Sequence, residues 1–331
     1  MTANTSAKRK PNWKKTITMG LFVLLIALLG WYVWQNREDM AQLLSLDAGT
    51  VALMLLFALG GCVMNCVYHR IILSPFKVPL GLTDWMGVVM VSNAMAYVLP
   101  LRADLVFSAA YYKKVKGLAY TKSVSIAAGN IVFGVTFSLL EILVALACCG
   151  LIDGQWPLPL WLILIAGLLF VTAFMVVALV LGDRQPAFVR KYRIVQEAID
   201  GFVQLLRDRR MLLELLGCLI VNHCCHLLLY MVCFHAIGME VTVYQALLYN
   251  SMSWLSSILT IVPGNIGIKE AAMGFATGLM GAMFQSGVMV SLLQRVTVMI
   301  VYIVAGAAFA WPVFRKMKLA GEQTEESHAH E

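Results

Sequence analysis

Six stretches of this chain run for about twenty residues with scarcely a charge, and that pattern leaves few folds open. They are Thr16–Trp34, Val51–Leu73, Val124–Cys149, Leu160–Leu181, Leu212–Ile237 and Gly287–Val313. Crossing the hydrocarbon of a bilayer takes about 20 apolar residues in a helix. No water is present there to satisfy backbone N–H and C=O groups, so a spanning segment must bond to itself. The chain is 60% hydrophobic and only 13% charged, against about a quarter charged in soluble domains. These values exclude an ordinary soluble globular protein. They predict an all-α polytopic integral membrane protein built as a single membrane domain.

The net charge of +7 does not point to nucleic acid, because the lysines and arginines cluster at the ends of the apolar runs. It reads as topology. The start, MTANTSAKRKPNWKK, is a basic terminus at residues 1–15. The run that follows is too long for a signal-peptide core and lacks a small-residue cleavage site, so it is expected to be an uncleaved anchor. Arg70, Lys77, Lys113, Lys114, Lys116 and Lys122, the loop at residues 183–211 and the segment Phe314–Lys318 are all basic. The segments Arg37–Asp47 and Leu151–Pro159 carry little positive charge. This alternation predicts both termini in the cytoplasm and about eight transmembrane helices between residues 16 and 314. Residues 315–331 are polar and expected to be a disordered tail. Within the basic loop, Phe188, Tyr192, Val195, Ile199, Phe202 and Leu206 recur at three and four, opposite Arg190, Lys191, Arg193 and Glu197. That spacing predicts an amphipathic helix in the membrane interface, either a plain anchor or a reader of anionic lipid.

Two regions interrupt the apolar pattern. Asp84–Lys116 is broken at Pro100, and Tyr244–Met283 is broken at Pro263. In each, a proline after an aliphatic residue is followed by a base and an acid: Arg102 and Asp104 in the first, Lys269 and Glu270 in the second. Paired interrupted segments of this kind point to a binding site between two halves of a carrier. The basic loops fall on one side if the second region crosses twice and the first enters and returns, or crosses twice. The breaks are thus expected to be Pro-broken or re-entrant hairpins, and their likeness suggests a pseudo-repeat.

Approaching the second break, Asn250, Ser253, Ser257 and Thr260 form one polar stripe at three, four and three. Such a stripe serves equally as helix–helix glue or as cavity lining. Gly264 and Gly267 permit unusual dihedrals after Pro263. A helix restarting near Ile266 would offer free N–H groups and a positive dipole end to a phosphate. Arg295 lies deep in the last apolar run, where an arginine costs a few kcal/mol or more and needs a partner. Glu270, Asp104, Glu141 and Glu214 are the candidates, and Glu141 and Glu214 are otherwise interfacial residues or proton carriers.

His223, Cys224, Cys225, His226, Cys233 and His235 crowd one helix, but only His223 and His226 share a face. A closed zinc site would need ligands from another segment, and the spacing supplies none. No metal and no cofactor is expected, and the eight cysteines read as small core residues rather than a disulfide framework.

At the two breaks the sequence resembles the transmembrane, flippase-like domain of the lysylphosphatidylglycerol synthase family. The family's late motif, P-G-G-x-G-x-x-E, is matched at Pro263, Gly264, Gly267 and Glu270, with Asn265 in place of the second glycine. Its earlier motif, L-P-x-R-x-G-E, is matched at Leu99, Pro100 and Arg102, with Ala103 and Asp104 where Gly-Glu is usual. A Glu-Arg pair of the following helix is replaced by Gly129 and Asn130, and Arg295 resembles the family's late-helix arginine. The resemblance spans roughly residues 14 to 318 and marks a divergent member. Two-domain relatives append a soluble aminoacyl-transferase domain; this chain stops at Glu331, so lysyl transfer is not implied.

The resemblance implies a protein of the bacterial cytoplasmic membrane that moves an anionic phospholipid or a lipid-linked saccharide between leaflets. Arg102, Lys269 and Arg295 would meet the phosphate or its counter-charges, Asp104 and Glu270 would hold those bases or carry protons, and the stripe would line the head-group path. A homo-oligomer or an envelope-synthesis partner protein is compatible with this. A lipid-linked transferase is the weaker expectation, since no Asp-rich, Walker-type or HExxH motif occurs. A non-catalytic scaffold of an envelope-assembly complex is the other alternative.

Overall fold

A computed structural model describes residues 46–98, 102–186, 191–258 and 265–329, and all regular structure among them is helical. The anchor expected at Thr16–Trp34, together with Leu99, Pro100, Thr260, Pro263 and Gly264, lies outside the described residues. In chain order the helices are α1 (Ala48–Leu73), α2 (Val88–Val98), α3 (Ala103–Lys116), α4 (Tyr120–Ile152), α5 (Leu158–Arg184), α6 (Arg193–Arg207), α7 (Arg209–Ala236), α8 (Val243–Ser256), α9 (Ile268–Leu279) and α10 (Phe284–Ala329). Five of them, α1, α4, α5, α7 and α10, are long and apolar enough to cross a membrane. The protein is therefore multi-pass.

Local signals set the boundaries. Asp47 caps α1 by accepting from the Thr50 N–H, and Asp208 caps α7 by accepting from Met211. Thr242 and Gln245 form a reciprocal capping box at the start of α8. Helix α3 ends at Gly117, whose φ of 70° closes the last turn in the left-handed region.

The two interrupted regions are hairpins that enter the bundle from opposite ends. In the first, α2 and α3 lie side by side, joined across by Ser92 and Ser108 at 2.8 Å. Its open end is tied by Asp84, in the π-helical turn Thr83–Gly87 before α2, to Lys116 at the end of α3. In the second, α8 and α9 lie side by side, and Tyr244 at its open end donates to Asp153 beyond α4. At 1.5 Å per residue, the 14 residues of α8 and 12 of α9 give arms of about 21 and 18 Å. Both fall short of the roughly 30 Å hydrocarbon core. Neither helix of the second region is therefore long enough by itself to span.

Helix α10 runs past both hairpins in turn. Near its start Gly287 meets the backbone of Met273 in α9, and Arg295 reaches Glu270 at the hairpin tip. Further on Tyr302 stacks near Tyr97, Gly306 lies against Met90 and Ala94 of α2, and Lys316 bonds Asp84. The glycines at these crossings let backbones approach closely, which drives helix association where lipid supplies no hydrophobic gain.

Two expectations change. The tail does not leave the bundle at Phe314: α10 continues to Ala329, with Lys318 and Glu322 one turn apart at 3.7 Å. The amphipathic loop helix begins at Arg193 and packs inward against α4 and α5, Ser125 donating to the Ala198 carbonyl and Phe202 meeting Phe174. Tyr192, Ile194 and Val195 stay exposed.

Candidate functional site: a polar cavity between opposed hairpin tips

The hairpin tips meet in the interior. Two adjoining polar cavities, of about 240 and 210 Å³, both have Asn93, Arg102, Asp104 and Ser257 in their walls. The first is completed by Asn65 and His69 of α1, Ser92, Ser108, Asn130 and Trp254. The second is completed by Tyr97, Asn265, Lys269 and Arg295. Each has the volume of several water molecules at about 30 Å³ apiece.

The second tip is knit tightly. Asn265 takes the left-handed φ of 56° and Gly267 a φ of 86°, turning the chain before α9. The Asn265 amide donates to the Ser256 carbonyl at 2.8 Å, closing the turn onto α8. Glu270 accepts from the Gly267 N–H at 2.7 Å and from Arg295 Nε at 2.8 Å, and Arg295 Nη2 also donates to the Asn265 carbonyl at 3.1 Å. The partner of the intramembrane arginine is therefore Glu270. Glu141 lies elsewhere in the core, and Glu214 pairs with Arg210 on the surface. Lys269 donates to Gln294 and lies 6.0 Å from the Tyr230 ring.

The helix after the second break begins at Ile268 rather than Ile266. The chain's own Glu270 meets its positive end, accepting from the Gly267 N–H.

Arg102 stands at the edge of the other tip. Arg102 sits in the left-handed region at φ 56°, and its guanidinium meets Asp104 at 3.5 Å with both side chains partly exposed. Arg102 Nε is buried without a hydrogen-bond partner. The cavities thus gather three cations, Arg102, Lys269 and Arg295, against Asp104 and the Glu270 carboxylate that holds Arg295. One formal positive charge is left over.

The polar stripe divides. Ser257 lines both cavities. Ser253 accepts from the Tyr230 hydroxyl at 2.6 Å, and the Asn250 amide lies 3.2 Å from His223 Nδ1. These two join helices rather than face the cavity. Sequence reasoning missed Asn65, Ser92, Asn93, Ser108 and Gln294. Their one signal was a polar side chain on an otherwise apolar helix, too common to single out. Asn130, where the family's Glu-Arg pair is absent, does face the cavity, with a neutral side chain.

Among the described residues no three His, Cys, Asp or Glu side chains gather as metal ligands. His223 bonds Glu141 instead, and His226 packs against Gly61 of α1. No curated protein and no solved structure matches the chain. Residues 17–306 do match the family model of the lysylphosphatidylglycerol synthase TM region, and the chain belongs to that family.

Proposed function

We propose that this protein is a membrane lipid translocator that carries an anionic phospholipid or a lipid-linked saccharide between leaflets of the bacterial cytoplasmic membrane, with both termini in the cytoplasm. The observation that carries the reading is the charge balance of the central cavities. Arg102 and Lys269, from opposed hairpins, face one polar space with Asp104 as the one carboxylate among the described residues of its walls. A surplus cation held away from water is costly, and an anionic head group would offset that cost. Arg102 and Lys269 bind the phosphate. Glu270 and Arg295 hold the second tip in shape. Asn93, Ser257 and Asn265 offer hydrogen bonds to the rest of the head group. On this reading the protein binds and moves lipid and makes no covalent change to it.

Reconstituted vesicles test this. Fluorescent phosphatidylglycerol and a polyprenyl phosphate serve as probes, and their exposure on the outer leaflet is followed in time. Wild type should move one of them, and Arg102→Ala/Lys269→Ala should slow it at least tenfold. Equal rates for both proteins, or none for wild type, contradict the proposal.

The closed Glu270–Arg295–Asn265 network favours one second reading, a non-catalytic scaffold for envelope assembly, since such a network is what a structural role requires. It predicts that Arg102→Ala/Lys269→Ala leaves envelope phenotype and vesicle behaviour as in wild type.

A further inference from the structure

A second polar cluster lies apart from the cavities, where α4, α7 and α8 meet. His223 Nδ1 is 2.7 Å from Glu141 Oε2. Ser251 donates to the same carboxylate oxygen at 2.7 Å, and the Asn250 amide nitrogen lies 3.2 Å from His223 Nδ1. Phe137 sets its ring edge-on to the imidazole at 4.7 Å. Glu141 is 9% and His223 3% exposed. His223 Nε2 is buried without a hydrogen-bond partner, one of eight such side-chain atoms among the described residues. It is the one among them that is an imidazole nitrogen able to take up a proton, and it belongs to a ring already bonded to a carboxylate.

We infer that Glu141 and His223 form a proton-binding site that couples lipid movement to the transmembrane proton gradient. This rests on the translocator reading above. Carboxyl and imidazole side chains inside membrane helices are the usual proton carriers. The geometry gives each nitrogen a role. In the empty state the Glu141 carboxylate accepts from Nδ1–H of a neutral imidazole, Nε2 is bare, and the pair carries one negative charge. A proton arriving at Nε2 makes an imidazolium facing the carboxylate, and the pair becomes neutral. Its departure from Nε2 restores the first state. The 2.7 Å hydrogen bond is kept throughout.

The pair is joined to the cavity by α8. Asn250 contacts His223, Ser253 lies one turn on, and Ser257 donates to the Ser253 carbonyl while facing both cavities. From Asn250 to Ser257 is seven residues, about 10 Å of helix. Loading the site removes a negative charge from the interior that also holds Arg102 and Lys269, which favours anion binding in a low-dielectric surrounding. Proton and anionic lipid therefore bind with positive coupling.

Few other charges compete. His226, one turn along α7, is in electrostatic reach of His223 on one side and of Lys269 of α9 on the other, and Glu270 of α9 and Arg295 of α10, which packs against α7, pair with each other. Helix α8 has no charged residue, and the charged residues of α5 are Asp183 and Arg184 at its end. Those of α1 are His69 and Arg70 near its end, and on α4 the other charged residue is Lys122 in the first turn.

The test uses the full protein in vesicles of phosphatidylethanolamine and phosphatidylglycerol with an entrapped pH dye. Fluorescent phosphatidylglycerol and a polyprenyl phosphate are the probes, with and without a gradient of one pH unit. Wild type should move lipid several-fold faster down the gradient, with dye-reported proton flow. Glu141→Gln and His223→Asn should move it at the rate wild type shows without a gradient. Movement by wild type that ignores the gradient, or gradient response retained in both variants, overturns the proton site and leaves the translocator reading standing. Absence of movement by wild type overturns both. If neither variant folds, dye-reported proton flow in wild type decides alone: flow that stops when lipid asymmetry is dissipated supports the coupling, and flow independent of lipid contradicts it.

Discussion

The two hairpins share a plan and differ in how they use their charges. In both, a left-handed residue, Arg102 or Asn265 at φ 56°, turns the chain just before the returning helix. In the α8–α9 hairpin the acid and the arginine are spent on structure: Glu270 binds both the helix start and Arg295. In the α2–α3 hairpin the arginine and acid meet at 3.5 Å and stay partly open to the cavity. The α2–α3 hairpin is instead fastened at its far end, where Asp84 binds Lys116 and Lys316 and accepts from Tyr111. Among the described residues the second hairpin is thus tied at both tip and root, the root by Tyr244 and Asp153, and the first chiefly at its root.

The largest expected effect tests the locked tip. Arg295→Ala strands the Glu270 carboxylate in the interior and should cost about 3–5 kcal/mol, read as a large fall in thermal stability in detergent. Arg295→Met/Glu270→Met, which removes both charges, should recover most of it. A mild single variant would break the comparison. Next come the crossings on α10. A Cβ at Gly287 would stand 2.4 Å from the Met273 carbonyl oxygen, and one at Gly306 2.8 Å from the Ala94 side chain. Each Gly→Ala should cost about 1–3 kcal/mol. Gly287→Ala should cost more, since its obstacle is backbone, and the reverse order would show that the second hairpin is the looser one.

The root of the first hairpin supplies a pH test. Burial alone would raise the Asp84 carboxyl, but Lys116, Lys316, Tyr111 and the Gly81 N–H outweigh it and hold it below the ordinary carboxylate range. A carboxyl depressed on folding stabilises above its unfolded value, about 3.9, and loses that contribution as pH falls through its folded value. Asp84→Asn should therefore lower thermal stability at pH 7, and the gap from wild type should shrink as pH drops below about 4. A gap that widens would contradict the assignment. The smallest stability effect belongs to Arg102→Ala, under about 1 kcal/mol for a partly exposed pair. Its consequence should appear in lipid binding instead, which sharpens the contrast with Arg295.

Much of this was legible in the chain. The long apolar runs gave the spanning helices because hydrocarbon demands them, and Pro100 and Pro263 marked the two interruptions. Arg102, Asp104, Ser257, Lys269 and Arg295 do converge, as the paired breaks implied. The division of labour was not legible. Periodicity placed Asn250, Ser253 and Ser257 on one face but not against which helix, and that neighbour decides between glue and lining. Glu270 looked equally suited to capping and to pairing, and it does both. Glu141 and His223 lie 82 residues apart, and no local pattern joins them.

The central claim is that Arg102 and Lys269 hold an anionic head group between the tips. Native mass spectrometry of gently extracted protein tests it most directly, with wild type beside Arg102→Ala/Lys269→Ala. The account predicts a retained anionic phospholipid or polyprenyl-linked lipid in wild type and its loss in the variant. Equal retention in both proteins would contradict it.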